Sequence, residues 1–158
     1  MGTMAVSTAV ARIRSAGHDI AADYTDDRCL EFLNTAIQQV ASLLIAASWP
    51  TLVKEITVHN GDSLPENYTK AAGRYPLRMT DGRVQIVDDM YDTVRFRYFA
   101  TPANLKHTDD VLPFNHDGIN EVVVRSAIIL ALNENEFDIS QDSSLLNQLQ
   151  QAIASGMA

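Results

Sequence analysis

The sequence predicts an α+β fold: a four-helix bundle-like core with a small antiparallel β module inserted in its middle. Three observations lead there. Long stretches toward both ends carry apolar residues at helical spacing. Residues 51–100 switch to short alternating runs broken by tight-turn residues. Helical patterning then resumes beyond Pro102 and Pro113. At 158 residues, with 46% hydrophobic and 20% charged side chains, residues 1–158 read as one ordinary globular domain.

Residues 4–16 read as the first helix, with Ala5, Ala9 and Ile13 on one face and Arg12 and Arg14 off it. Gly17 suits its end. The following polar segment offers Ile20 and Tyr24 to the core, and Thr25-Asp26-Asp27 supplies a cap and two acids to the next helix. That second helix, residues 27–47, has the clearest stripe: Leu30, Leu33, Ile37, Val40 and Leu44, widened by Ala36, Ala41 and Leu43. Glu31, Asn34, Gln38 and Gln39 lie off the stripe, and Trp49-Pro50 ends the helix.

In the inserted module, residues 54–59 alternate weakly before the Asn60-Gly61-Asp62 turn, and a short segment follows around Tyr68. Asp81-Gly82 between two alternating runs is a strong hairpin signal. The last strand, Val94-Arg95-Phe96-Arg97-Tyr98-Phe99, alternates charged and aromatic residues, so one face is wet and one buried. Pro102 stops it, and Pro113 suits the first turn of a third helix over residues 114–133. Ile119, Val122, Val123, Ala127, Leu130 and Ala131 give that helix a broad apolar face, which Ile128 and Ile129 extend. Asp142-Ser143 starts a fourth helix over residues 143–155, with a narrow stripe of Leu145, Leu146, Leu149 and Ile153. Such a short helix is marginal alone, so it docks either on its own domain or on a neighbour.

Composition narrows the function. The net charge of −8 is concentrated at the end: residues 104–158 carry 2 basic and 8 acidic side chains. That sign opposes phosphate binding, so sequence-specific DNA recognition is not expected. No apolar run approaches the roughly 20 residues that span a bilayer, and no signal peptide or membrane partner is expected. Cys29 is the sole cysteine, on the polar-to-intermediate edge of the second helix, and reads as a structural thiol in a reducing setting.

Chemistry-bearing patterns are sparse. His18, His59, His107 and His116 sit in different segments without an i, i+4 metal partner, and no phosphate-cradling glycine motif is present. We expect no catalytic residues, no metal and no cofactor. The alternative is a small soluble α+β enzyme or metal-binding protein using the acidic, His-containing loop 107–117, where Asp109-Asp110 precedes His116-Asp117. Solvation and helix capping also account for these residues.

In order and spacing, residues 5–155 resemble the head-to-tail connector (adaptor, or head-completion) proteins of tailed bacteriophages and gene transfer agents. The similarity runs through Leu33-Asn34-Thr35-Ala36-Ile37, Trp49-Pro50 and Leu64-Pro65-Glu66-Asn67-Tyr68. It continues through Arg97-Tyr98-Phe99-Ala100-Thr101-Pro102, Leu112-Pro113 and Asn135-Glu136-Phe137-Asp138. The resemblance implies a virion structural protein of the neck, assembled in the bacterial host cytoplasm. It implies a homo-oligomeric ring, commonly a dodecamer, beneath the portal protein. The ring docks the tail or the next neck protein and conducts DNA without reading its sequence. Leu145, Leu146, Leu149 and Ile153 then become candidates for binding the portal or an adjacent subunit. Glu121, Glu134, Glu136, Asp138 and Asp142 become candidates for an acidic lumen that repels DNA phosphates.

Overall fold

A computed structural model of the chain describes residues 3–17, 24–133 and 138–157. Its elements run α1 (Val6–Gly17), α2 (Asp26–Ala46), β1 (Val53–His59), β2 (Tyr68–Ala71), β3 (Leu77–Thr80), β4 (Arg83–Ile86), β5 (Thr93–Ala100), α3 (Asp117–Leu132) and α4 (Ser143–Met157). The fold is α+β. The chain divides into a helical unit, Met1–Ala47 with Pro102–Ala158, and a β unit, Ser48–Thr101. The sequence reading has one domain with its insertion at residues 51–100.

In the helical unit, α3 is the element the others cover. Ile119, Val122, Val123, Ala127, Leu130 and Ala131 are all buried, and so are Asn120, Val124 and Ser126 around the rest of its girth. Helices α1, α2 and α4 each pack against it. Thr25 caps α2 by accepting from the Arg28 N–H at 3.2 Å, with Asp26 and Asp27 in the first turn. Tyr24 is buried and its hydroxyl donates to the Ala131 carbonyl at 3.1 Å, while Ile20 lies outside the described residues.

Several expectations change. The buried face of α1 is Val6, Ala9, Val10 and Ile13; Ala5 is exposed and forms an isolated antiparallel bridge with Val111. Cys29 is fully buried rather than on a polar edge, because the α2 stripe is wide enough to include it. Pro113 stays outside α3, which begins only at Asp117. The His116 imidazole caps the helix instead, its Nδ1 accepting from the Ile119 N–H at 3.3 Å. By length and composition, α2 also qualifies as a membrane-crossing helix, with a mean hydropathy of 1.3 over its apolar window. More than half of that window is buried inside the protein, as befits a core helix.

Three polar residues read as lying off the α2 stripe hold neighbouring backbone. Asn34 donates to the Leu105 carbonyl at 3.1 Å and accepts from the Leu105 N–H at 2.6 Å. Gln38 donates to the Pro102 carbonyl at 3.2 Å, and Gln39 accepts from the Ile139 N–H at 2.9 Å. Asn34 and Gln38 thus hold backbone groups of the segment that returns to the bundle, and Gln39 holds one just before α4.

In the β unit, β5 is central to a three-stranded antiparallel sheet of order β1-β5-β2, and β3 pairs with β4 in a two-stranded sheet. The β3–β4 hairpin turns at Asp81 (φ 53°) and Gly82 (φ 75°), both left-handed, as a two-residue primed turn requires. Its core gathers Val58, Val84, Val94, Phe96 and Tyr98, the β5 face that the alternation marks; Phe99, off that face, is buried as well.

Two outcomes test this packing. Replacing Asn34 with Ala should cost about 1–3 kcal/mol in chemical denaturation, because both Leu105 backbone groups lose their partner. Ser126 Oγ is buried with no hydrogen-bond partner among the described residues. Ser126→Ala should therefore leave stability unchanged or raise it by about 1 kcal/mol, and a clear loss would show that the hydroxyl is needed.

Candidate functional site

Helix α4 is where the sequence places partner binding, and the structure divides its four apolar candidates. Asp142 caps the helix by accepting from the Leu145 N–H at 3.1 Å. Leu145 and Leu149 are buried, as is Ala152. Gly118 in the first turn of α3 allows this close docking: a Cβ there would meet the Ala152 Cβ at 3.0 Å. Leu146 and Ile153 are only partly buried. With Leu149 and Gln150 they line a shallow groove of about 270 Å³ whose other wall is Leu43, Ala46 and Ala47 of the α2 C-terminal end. Two of the four candidates thus face the bundle, and two remain at a partly open apolar groove.

The acidic candidates have local work. Glu121 on α3 receives both guanidinium N–H groups of Arg12 from α1, at 2.6 and 2.8 Å. Arg125 adds a third bond at 3.2 Å and also donates to Gln148 of α4 at 3.3 Å. The Arg12–Glu121–Arg125 cluster therefore links α1, α3 and, through Gln148, α4. The Arg12 hydrogen bonds hold the Glu121 carboxyl below the usual range against the opposing effect of partial burial, and they raise Arg12 in turn. Asp138 accepts from the Ser140 N–H and hydroxyl, which lowers its carboxyl, and it is exposed. Glu134 and Glu136 lie outside the described residues.

In the loop 107–117, Asp110 accepts from the backbone N–H groups of Lys106 and His107, at 3.2 and 3.1 Å. His116 caps α3, and Asp117 sits in that helix's first turn. Among the described residues, no group of three or more His, Cys, Asp or Glu side chains is placed to hold a metal ion. Burial pushes the Cys29 thiol upward, with nearby charges secondary, so it lacks the character of an activated nucleophile.

Sequence reasoning passed over one surface. In the turn between β4 and β5, Met90 is 86% exposed, beside the exposed Tyr91 and Val87. Exposed apolar residues inside an acidic turn were the available signal.

A scan against protein-family models and a search of curated proteins give no match to this chain.

The Arg12–Glu121 pair makes a pH prediction. A carboxyl lowered in the folded state contributes stability that is complete above its unfolded value, near 4.3, and is lost as pH falls through the folded value. Arg12 keeps 38% of its side chain exposed, so screening limits the pair to about 1 kcal/mol. Glu121→Gln should be less stable than the parent at pH 7 by roughly that amount. Thermal melts at falling pH should show the two converge once the pH drops below the usual carboxylate range and Glu121 is protonated in the folded state as well. A gap that persists in acid would mean that the loss is one of packing.

Proposed function

We propose that this chain is a head-to-tail connector of a tailed bacteriophage or gene transfer agent: a structural protein that assembles as a ring beneath the portal, docks the tail or next neck protein, and lets DNA pass. The observation that carries the reading is the layout. A helical unit is interrupted between α2 and α3 by a β unit, in the element order that the resemblance implies. The partly open apolar groove at Leu146 and Ile153 supports it as a docking surface on the terminal helix. The acidic excess of residues 104–158 supports passage of DNA without binding. For the lumen itself, Asp138 is the exposed candidate; Glu121 is neutralised by two arginines, and Asp142 is a helix cap.

The portal contact is assigned to the groove rather than to the whole leucine stripe. Leu145 and Leu149 complete the bundle, so removing α4 would confuse unfolding with loss of binding. Leu146→Glu and Ile153→Glu leave the buried pair intact and place charge on the groove. Each should keep the parent far-UV circular dichroism and melting behaviour while losing co-assembly with portal rings, read by sedimentation of the mixed proteins. Well-folded variants that co-assemble like the parent would overturn the assignment. Metal analysis of the purified protein tests the alternative use of loop 107–117, where a stoichiometric bound ion would favour it.

A further inference from the structure

The β unit has equal numbers of basic and acidic residues, but they are sorted by position. Its strands hold six basic residues and one acidic, whereas its turns hold six acidic and one basic, Arg74. The turn between β4 and β5 concentrates three of those acids, Asp88, Asp89 and Asp92, around the apolar Val87, Met90 and Tyr91. Exposure is 53% for Val87 and Tyr91 and 86% for Met90. The turn is well formed: Asp88 accepts from the Met90 N–H with its side chain at 2.9 Å and from the Tyr91 N–H with its carbonyl at 3.2 Å. It presents an apolar tip ringed by carboxylates that pair with no cation among the described residues.

The same unit carries a complementary receptor. A pocket of about 370 Å³ is lined by Tyr68, Ala71, Tyr75, Leu77 and Met79, and exposed Arg74 completes it. Gly73, at φ 120°, crosses it without a side chain. The Tyr75 ring is already fixed. Its hydroxyl donates to the Ala72 carbonyl at 3.0 Å, and its ring sits edge-on to Phe96 at 5.2 Å. Arg74 makes no ion pair among the described residues. The chain does not fill this pocket with its own tip, since Met90 stays in solvent and Val87 N–H is tied to the Pro76 carbonyl at 3.0 Å.

We propose that the Met90–Tyr91 tip of one copy of this chain docks in the Tyr68–Tyr75–Met79 pocket of a second copy. A thioether against tyrosine rings is a favourable fit, and Asp88 or Asp89 meets the unpaired Arg74. Charge selects the occupant. An acidic tip disfavours nucleic acid, and the cationic, aromatic socket it needs is present on the chain itself. A tip exchanged reciprocally closes a pair, and a tip passed onward builds a ring or filament. A six-residue tip buries less than the roughly 800 Å² per partner of a standard interface, so the contact is weak alone. It would supply one subunit contact of the proposed connector ring and rests on that reading only for its setting; the contact is a property of this chain.

Photo-crosslinking tests it. Met90→Cys carrying a benzophenone is mixed as light and heavy isotope-labelled copies at high concentration, the buried Cys29 staying unlabelled. Adducts between copies should map to residues 68–79. Arg74→Glu should cut their yield about tenfold, as should Asp88→Arg with Asp89→Arg. Combining both reversals in one chain should restore it. Adducts that stay within one chain, fall elsewhere, fail to form or ignore the charge reversals overturn the proposal. Leu146→Glu should leave these adducts intact while portal co-assembly is read separately, so either assignment can fail without the other.

Discussion

The pairing of β1 with β5 is the constraint on which the layout depends. The first and last strands of the β unit are antiparallel neighbours, in register from Val53↔Phe99 to His59↔Thr93. Opposed residues in such a ladder lie about 5 Å apart, so the Ser48–Thr101 excursion leaves and returns at nearly one place. For the helical unit, the insertion then resembles a short connection, whatever its length. Loop-closure entropy, which grows with the length of a free loop, is met once within the β unit. Asn34 and Gln38 secure the returning strand's exit by binding Leu105 and Pro102. Helices α2 and α3, far apart in sequence, can then pack as though consecutive.

That arrangement matters because α3 is apolar on nearly every side. Such a helix is stable only when covered all round, and α1, α2 and α4 each take a face. The polar exceptions on α3 are organised accordingly: Glu121 and Arg125 occupy the open strip and join α1 to α4 through Arg12 and Gln148. The fourth helix therefore commits Leu145 and Leu149 to the bundle, while Leu146 and Ile153 remain partly exposed at the groove beside α2. A helix such as α4 can complete a core with some residues and leave others at the surface, and the docking proposed for it would use only the latter.

The fold class and the elements were legible because they rest on local patterns. The α2 stripe, the Thr25 cap, the Asp81-Gly82 turn and the β5 alternation each act within a few residues. What escaped was decided at longer range. Pro113 was compatible with a helix start, but His116 supplies a side-chain acceptor three residues before Ile119, and the cap went there. Asn34, Gln38 and Gln39 could be placed only off the apolar stripe, because their backbone partners lie from 64 to 100 residues away. The division of the α4 stripe was equally hidden. A spacing of three and four marks a face without stating how much of it a neighbour covers, and Gly118 on another helix set how closely α4 could approach.

Charge shows the same limit in a different form. Summed over the β unit it is zero, which by itself suggests a surface with no electrostatic preference. Assigning residues to strands and turns separates the signs, and that separation is what the field at a surface follows over a Debye length of about 8 Å. A unit with basic strands and acidic turns is neutral at long range and polar at contact range. It would not be steered strongly toward polyanions, yet it can discriminate orientation once another copy is near. The acidic excess of residues 104–158 belongs instead to the other unit's part of the chain, where two arginines already neutralise Glu121. The two proposals, passage of DNA and docking between copies, would therefore draw on different residues, and neither would weaken the other.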